Sequence, residues 1–202
     1  MAKTNWKGGA LLSPVPAVLV TSADGEKRNV CTVAWTGILN TNPAKLYISV
    51  RPSRYTHELI SKTGEFCINL PSSNLVRIVD FCGVKSGREV DKFAVLDINP
   101  EKASVISCPV IAECPVAIEC KVVEVIQLGS HDMFIADIVA VDVEEHLIDE
   151  NGRLRLEKAG LFAYSHGSYY ILGKKIGSFG FSVKKKNKHA NTTRKQNRSE
   201  AD

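Results

Sequence analysis

Apolar positions along this chain alternate over short runs more often than they recur with helical spacing. Ala17–Ser22 (Ala-Val-Leu-Val-Thr-Ser) reads as a strand, and the Ala-Asp-Gly-Glu that follows reads as a turn. Asn29–Trp35 returns as a second strand, so the pair predicts a hairpin. Leu46–Val50 is the third strand, reached through the Asn42-Pro43 loop, and Phe66–Leu70 is the next, ended by Pro71. A short helix is expected over roughly Tyr55–Lys62, stopped by Gly64. Ser72–Cys82 has helical spacing, with Leu75, Ile78, Val79 and Cys82 on one face and Arg77 and Asp80 away from it. Lys85–Pro100 is rich in loop signals and carries Lys92-Phe93. The clearest hairpin is Val116–Leu128, broken at Gly129-Ser130-His131-Asp132 and resumed as Met133–Val143. The last ordered piece is expected from Leu161 to about Ser182.

These strands are short and joined by hairpins, with two or three small helices between them. There is no βαβ alternation and no repeat of 20–50 residues. The pattern predicts a mainly β fold, an antiparallel closed or nearly closed barrel with helical decoration. Gly173-Lys-Lys-Ile-Gly-Ser-Phe-Gly matches neither the Rossmann fingerprint nor a Walker loop, and is expected to form turns.

Composition changes this picture in two places. The chain has 202 residues, 44% of them apolar, which suits one large domain with a real core. Its net charge of +4 is unevenly placed: seven Lys/Arg in residues 184–202 against Glu200 and Asp202 give that stretch +5 and leave residues 1–183 at −1. A domain over 1–183 and a basic tail over 184–202 are therefore expected. The tail has no large apolar residue, so it is expected to be disordered or transiently helical. With no aromatic interleaved for base stacking, it is read as a solubilising terminus, and neither nucleic acid nor membrane is an expected partner. The N-terminus has no apolar run, and the Met133–Val143 stretch is interrupted by Asp137 and Asp142, so a cytoplasmic protein is expected. The six cysteines are dispersed, without C-x-x-C pairs or zinc-like His spacing, and are expected to be buried, inert thiols with no metal site.

Candidate chemistry concentrates in Ser49-Val50-Arg51-Pro52-Ser53-Arg54-Tyr55-Thr56-His57. Here a β-branched and aromatic run stops at a proline turn bearing two arginines and hydroxyls, then opens into a helix. Backbone N–H groups and the helix dipole attract an anion at such a place, and a guanidinium can grip it with two hydrogen bonds. The same residues also read as an ordinary polar turn with Ser53 as the helix N-cap, and local pattern alone leaves both open.

Four segments then carry a resemblance: Asn29-Val-Cys-Thr-Val-Ala-Trp-Thr-Gly, Tyr47-Ile-Ser-Val-Arg-Pro-Ser-Arg-Tyr-Thr-His-Glu-Leu-Ile, Gly64-Glu-Phe-Cys-Ile-Asn-Leu-Pro and Gly129-Ser-His-Asp-Met-Phe-Ile-Ala-Asp-Ile-Val. In this order, from about Val15 to Ser182, the chain resembles the flavin reductase-like family, in the subgroup typified by flavoredoxin. The resemblance implies an FMN-binding split barrel of antiparallel Greek-key type, a homodimer, and one FMN per subunit near the dimer interface. It implies hydride transfer from NADH or NADPH to the flavin, then electron transfer to a free flavin, an iron–sulfur protein or another acceptor. An electron carrier reduced by an iron–sulfur partner, and a flavin-binding module without turnover, are the competing functions.

Carried over residue by residue, Arg51, Ser53 and Thr56 are expected to hold the FMN phosphate. Ala34, Trp35 and Thr36 are expected along the isoalloxazine edge, with Ser49 and Val50 on the ring's other flank. His131 stands where relatives often place a histidine and is the expected catalytic residue, although Ser130 replaces the acid common before it. Lys92 and Phe93 resemble a loop that approaches the flavin, and His166 resembles part of a closing strand over the site. For Tyr169 and Tyr170, barrel-edge packing is expected.

Overall fold

The computed structural model describes residues 1–184, so the run expected to be disordered lies almost wholly outside the described residues. The chain divides into two compact units, Met1–Leu172 and one that begins at Gly173. In the second, Phe181–Val183 forms a single 3-10 turn.

The first unit is built on strands β1 (Val18–Asp24), β2 (Lys27–Val33), β3 (Thr36–Thr41), β4 (Ala44–Val50), β5 (Glu65–Leu70), β6 (Pro100–Glu101), β7 (Val110–Ile111), β8 (Val116–Gln127), β9 (Asp132–Val143), β10 (Phe162–Ser165) and β11 (Ser168–Ile171). Seven of them form one antiparallel sheet in the order β2-β1-β5-β8-β9-β4-β3. Its two edge strands, β2 and β3, are consecutive in the chain with only Ala34 and Trp35 between them. A two-residue link spans about 10 Å at most, so the sheet must curl until its edges meet. The result is a barrel with a split at Ala34-Trp35, in keeping with the expected mainly β, antiparallel split-barrel class.

β1 shows why the barrel needs two cores. Val18 and Val20 point inward to Val33, Ile48, Val50, Phe66, Ile68 and Phe134, with Ile60 closing one end. Leu19 points outward, into a second cluster with Val79, Cys82, Phe93 and Phe162. A strand covered on both faces loses its alternation and reads as a continuous apolar run.

The helices cover that outer face and the barrel end. Helix α1 spans Tyr55–Thr63 and ends at Gly64, whose left-handed φ of 68° satisfies the C-terminal turn. The stretch read as helical over Ser72–Cys82 is a 3-10 turn, Ser73–Leu75, followed by α2, Val76–Val84. Inside the supposed loop, Lys92–Val95 forms a helical turn, α3, whose N-terminus is capped by the Asp91 carboxylate. Asn42-Pro43 is not a connecting loop but the tight turn between β4 and the unforeseen β3. β3 lacks an apolar face that packs, since Ile38 and Leu39 are both exposed, and so it gave no strand signal. Among the described residues, no helix is long and apolar enough to cross a membrane.

Candidate functional site: a trough along the barrel split

The split opens onto a cavity of about 370 Å³. Thr32, Val33, Ala34 and Trp35 form one wall, Ser49 and Val50 the facing wall, and His131, Tyr164 and Tyr169 the rim. The walls are held together by backbone, because the Ser49 amide donates to the Trp35 carbonyl at 2.8 Å. The Val15 and Tyr164 backbones exchange hydrogen bonds, which brings the β10–β11 hairpin alongside. Tyr169 stacks at a tilt on Tyr164, with ring centroids 5.4 Å apart. Its phenol donates to Asp80, and burial first, then that carboxylate, pushes its pKa up to about 12, so Tyr169 stays neutral.

His131 comes from the turn between β8 and β9. Burial and then the nearby Arg51 guanidinium lower its pKa, so the imidazole is held neutral. Its Nδ1 lies 2.9 Å from the Ser130 hydroxyl. The acid of this turn goes elsewhere: Asp132 pairs at 2.7 Å with His57 on α1, a pair that ties the helix to β9. The His57 ring also packs edge-on against Phe134 at 5.1 Å.

At the Arg51 end the trough continues into a second cavity of about 310 Å³, sharing Cys31, Arg51 and Arg54 with the first. Arg51, Arg54, Lys85 and Lys92 line it, and no Asp or Glu does. The N-terminus of α1 faces this place without help: Arg54 occupies the N-cap and no side chain caps the helix. Its orphan N–H groups are thus available to an anion. Lys92 is 3% exposed, and its ammonium donates to the carbonyls of Val30 at 2.7 Å and Cys82 at 2.9 Å. Burial lowers its pKa, and one of its three donors has no protein partner to serve. Two guanidiniums, two ammoniums and an uncapped helix start are the donor set that a phosphate requires.

The comparisons with known proteins agree with this geometry. A model of the flavin reductase like domain matches residues 11–173. The chain belongs to the flavin reductase-like family. The fold is similar to that of the flavoredoxin of Desulfovibrio vulgaris (Miyazaki F), at 30% identity and a TM-score of 0.84, over 91% of this chain and all of that one. An FMN-binding protein from Thermus thermophilus, solved with bound 1-cyclohex-2-enone, superposes with a TM-score of 0.74 at 27% identity, over 88% of this chain and 99% of that one. In sequence, an uncharacterised protein of Pyrococcus abyssi is 31% identical, over 84% of this chain and 97% of its own.

Within this family member, the structure sorts the expected site residues into three groups. Ala34, Trp35, Ser49, Val50, Arg51 and His131 line the first cavity, and Arg51, Ser53 and Lys92 the second. His166 lines a neighbouring cavity of about 350 Å³ with Trp35 and Tyr164 instead of closing over the first. Thr56, Thr36 and Phe93 reach neither trough cavity. The Thr56 hydroxyl is fully buried and accepts from the Asn29 amide at 2.8 Å, because position 56 falls on the inward face of α1. The Thr36 hydroxyl donates to the Tyr47 carbonyl at 2.6 Å, within the β3–β4 ladder. Phe93 is a core residue, covered on one face by the Arg28 guanidinium at 4.7 Å. Lys92 lines the cationic second cavity and not the first.

Four features escaped sequence reasoning. Ser53 is not the N-cap, which moves the helix start to Arg54 and adds that arginine to the seat. The Lys85-Ser86-Gly87 loop closes the anion cavity from the far side. Tyr169, expected to pack at a barrel edge, stands on the rim. The His57–Asp132 pair joins α1 to the strand next to His131. A Gly flanked by Lys, Ser and Arg was a visible signal for the loop; the Arg54 helix start is a local shift of one residue, and the Tyr169 and His57–Asp132 placements depend on pairings across 75 residues or more.

Proposed function

We propose that this protein is an FMN-dependent oxidoreductase that takes hydride from NADH or NADPH and passes electrons to a free flavin, a small molecule or a redox protein. The observation that carries this reading is the continuity of a ring-sized cavity with an all-cationic seat at an uncapped helix start. Arg51, Arg54 and Lys92 bind the phosphate, with the α1 N–H groups behind them. The Ala34-Trp35 segment and the Ser49-Val50 segment orient the ring between two strand ends. When bound, FMN would supply reversible hydride-transfer chemistry. Tyr164 and Tyr169 keep water from the rim, and neutral His131 exchanges a proton through Nε2, since Nδ1 faces Ser130.

The likeness to flavoredoxin supports the competing role of an electron carrier that is reduced by a protein partner. Anaerobic stopped-flow absorbance of the FMN-loaded protein mixed with NADH, and separately with NADPH, separates the two. Rapid bleaching of the flavin band is expected and names the donor. Tight flavin binding without bleaching overturns the nicotinamide step in favour of the carrier.

The working unit in this reading is a homodimer, and its support is surface chemistry. Ile38, Val123, Val125 and Val141 are exposed on β3, β8 and β9, more apolar strand surface than a monomer has reason to leave open. Sedimentation equilibrium tests it. The six free, buried cysteines suit a reducing compartment such as the cytoplasm.

A further inference from the structure

The acid next to His131 in the chain, Asp132, does not pair with it, and its actual place decides where the histidine stands. Asp132 forms the first rung of β9, with Val50 of β4 on one side and Gln127 of β8 on the other. Val50 leads directly into Arg51 of the cationic cavity, and Asp132 directly follows His131 of the first cavity. A single rung of the sheet therefore anchors both.

Side chains alternate along a strand, so the face taken by Asp132 fixes the face left to His131. Asp132 shares its face with Phe134, which is fully buried in the barrel core, and is itself only 8% exposed. His131 continues the ladder through its carbonyl, which accepts from the Leu128 amide at 2.9 Å. Its ring falls on the opposite side, at the rim of the trough.

A buried carboxylate at a strand end is drawn toward water unless a partner holds it. Turning outward, it would reverse the alternation and carry His131 away from the rim. His57 prevents this. Its Nε2 lies 2.7 Å from the Asp132 carboxylate, its ring packs edge-on against Phe134 at 5.1 Å, and its Nδ1 lies 3.4 Å from the Ser61 hydroxyl. A carboxylate only accepts, so Nε2 donates and the pair sets the tautomer. His57 is fixed in turn by α1, and its amide donates to the Arg54 carbonyl at 3.1 Å. Asp132 thus meets both ends of the segment Val50–His57, closing the whole arginine turn into a loop.

We propose that His57 and Asp132 are positioning residues for His131: the pair holds the tip of the β8–β9 hairpin against α1, and with it the His131 ring at the trough. This rests on the flavin reading above, in which His131 exchanges the proton. Neither residue lines either trough cavity, so both act through His131.

Two readouts on the full-length protein test it. The first needs no flavin: proton NMR titration of the His131 ring in wild type, His57→Leu and His57→Gln. In wild type, burial and the Arg51 guanidinium hold the His131 pKa below its ordinary 6.5, and Arg51 and Arg54 are the charged side chains on that cavity. His57→Leu is expected to release the tip and return the pKa to the ordinary value. His57→Gln keeps a donor for Asp132 and is expected to keep the pKa low. The second readout is stopped-flow reduction of the FMN-loaded protein by NADH or NADPH. His57→Leu is expected to lower the limiting rate about fivefold, with FMN affinity and donor half-saturation within about twofold, and His57→Gln to restore the rate. In the His131→Ala background, His57→Leu is expected to cost nothing further, because the group it positions is gone.

An unmoved His131 titration in His57→Leu overturns the proposal, and so does a rate loss that persists in the His131→Ala background. An equal loss of FMN affinity also overturns it and assigns the pair to the phosphate seat. Should His57→Leu fail to fold, His57→Leu combined with Asp132→Leu leaves no buried charge unpaired and carries the same expectations. Failure of wild type to bind FMN sinks the flavin reading, and the NMR titration still decides whether the pair holds His131.

Discussion

The barrel interior and the trough along its split are made by the same strands, yet they obey different rules. Inside, Phe66, Phe134, Ile48 and Val20 are fully buried, and the cluster they form carries no charged side chain. Outside the barrel, the turn after β4 presents Arg51 and Arg54, and α3 presents Lys92, to a common cavity with no carboxylate among its walls. The interior is a matter of volume: any side chain of the right shape in the right place serves. The trough is a matter of donors left without partners, since an uncapped helix and clustered cations are costly until a ligand satisfies them. On the proposed function, stability is concentrated in the first and binding in the second, so substitutions should separate them.

The largest expected effect lies in the interior. Phe134→Ala should lower the unfolding free energy by about 3–5 kcal/mol, read from urea denaturation, because it empties a ring-sized space. FMN affinity of the remaining folded fraction should hold. A large loss of affinity at an unchanged unfolding midpoint would break the separation.

Next comes Arg51→Ala, which should weaken FMN by about 2–3 kcal/mol while leaving the urea midpoint almost unmoved. A variant that still purifies fully yellow would remove Arg51 from the phosphate seat. His131→Ala should be smaller still, about tenfold slower reduction by NADH or NADPH, with FMN affinity within about twofold. Unchanged reduction kinetics would return this histidine to the role of a turn residue.

The packed regions should also show a pH dependence. Burial raises the pKa of Cys108 to about 11 and of Cys82 and Cys114 to about 12, from an ordinary value of 9.0. Above pH 9 the unfolded chain releases these protons while the folded chain keeps them, so the unfolded state binds fewer and stability falls with rising pH. Their contribution is whole below pH 9.0 and is lost as the pH climbs through 11 to 12. Thermal unfolding between pH 7 and pH 10.5 reads it, and a flat midpoint would contradict the burial of these thiols.

Local chemistry carried much of this protein into view. The β8–β9 hairpin, α1 with its Gly64 stop, and the anion-seeking turn at Arg51 were legible because each depends on residues near one another in the chain. β3 was not legible, because its partners supply its hydrogen bonds while its side chains stay in solvent. Glu119 was hidden for a related reason. It sits in an apparent strand pattern, yet it is fully buried and accepts from Ser104, Val105 and Ile106. Burial alone would push its pKa up, but the Ser104 hydroxyl and three backbone donors outweigh that and hold it at about 2. No periodicity announces a carboxylate whose donors come from another loop.

The site divides along the same line. Residue type and spacing by themselves determined that an arginine turn would open a helix, that glycines and prolines would punctuate short strands, and that a histidine would sit at the tip of the longest hairpin. These follow from backbone sterics and short-range electrostatics, which act over a few residues. Only the tertiary structure decided that Thr36, Thr56 and Phe93 would turn away from the trough, that Arg54, Tyr169 and the Lys85–Gly87 loop would line it, and that the barrel would split at Ala34-Trp35. Which face of an element is covered depends on what packs against it, and here those partners arrive from segments far away in the chain.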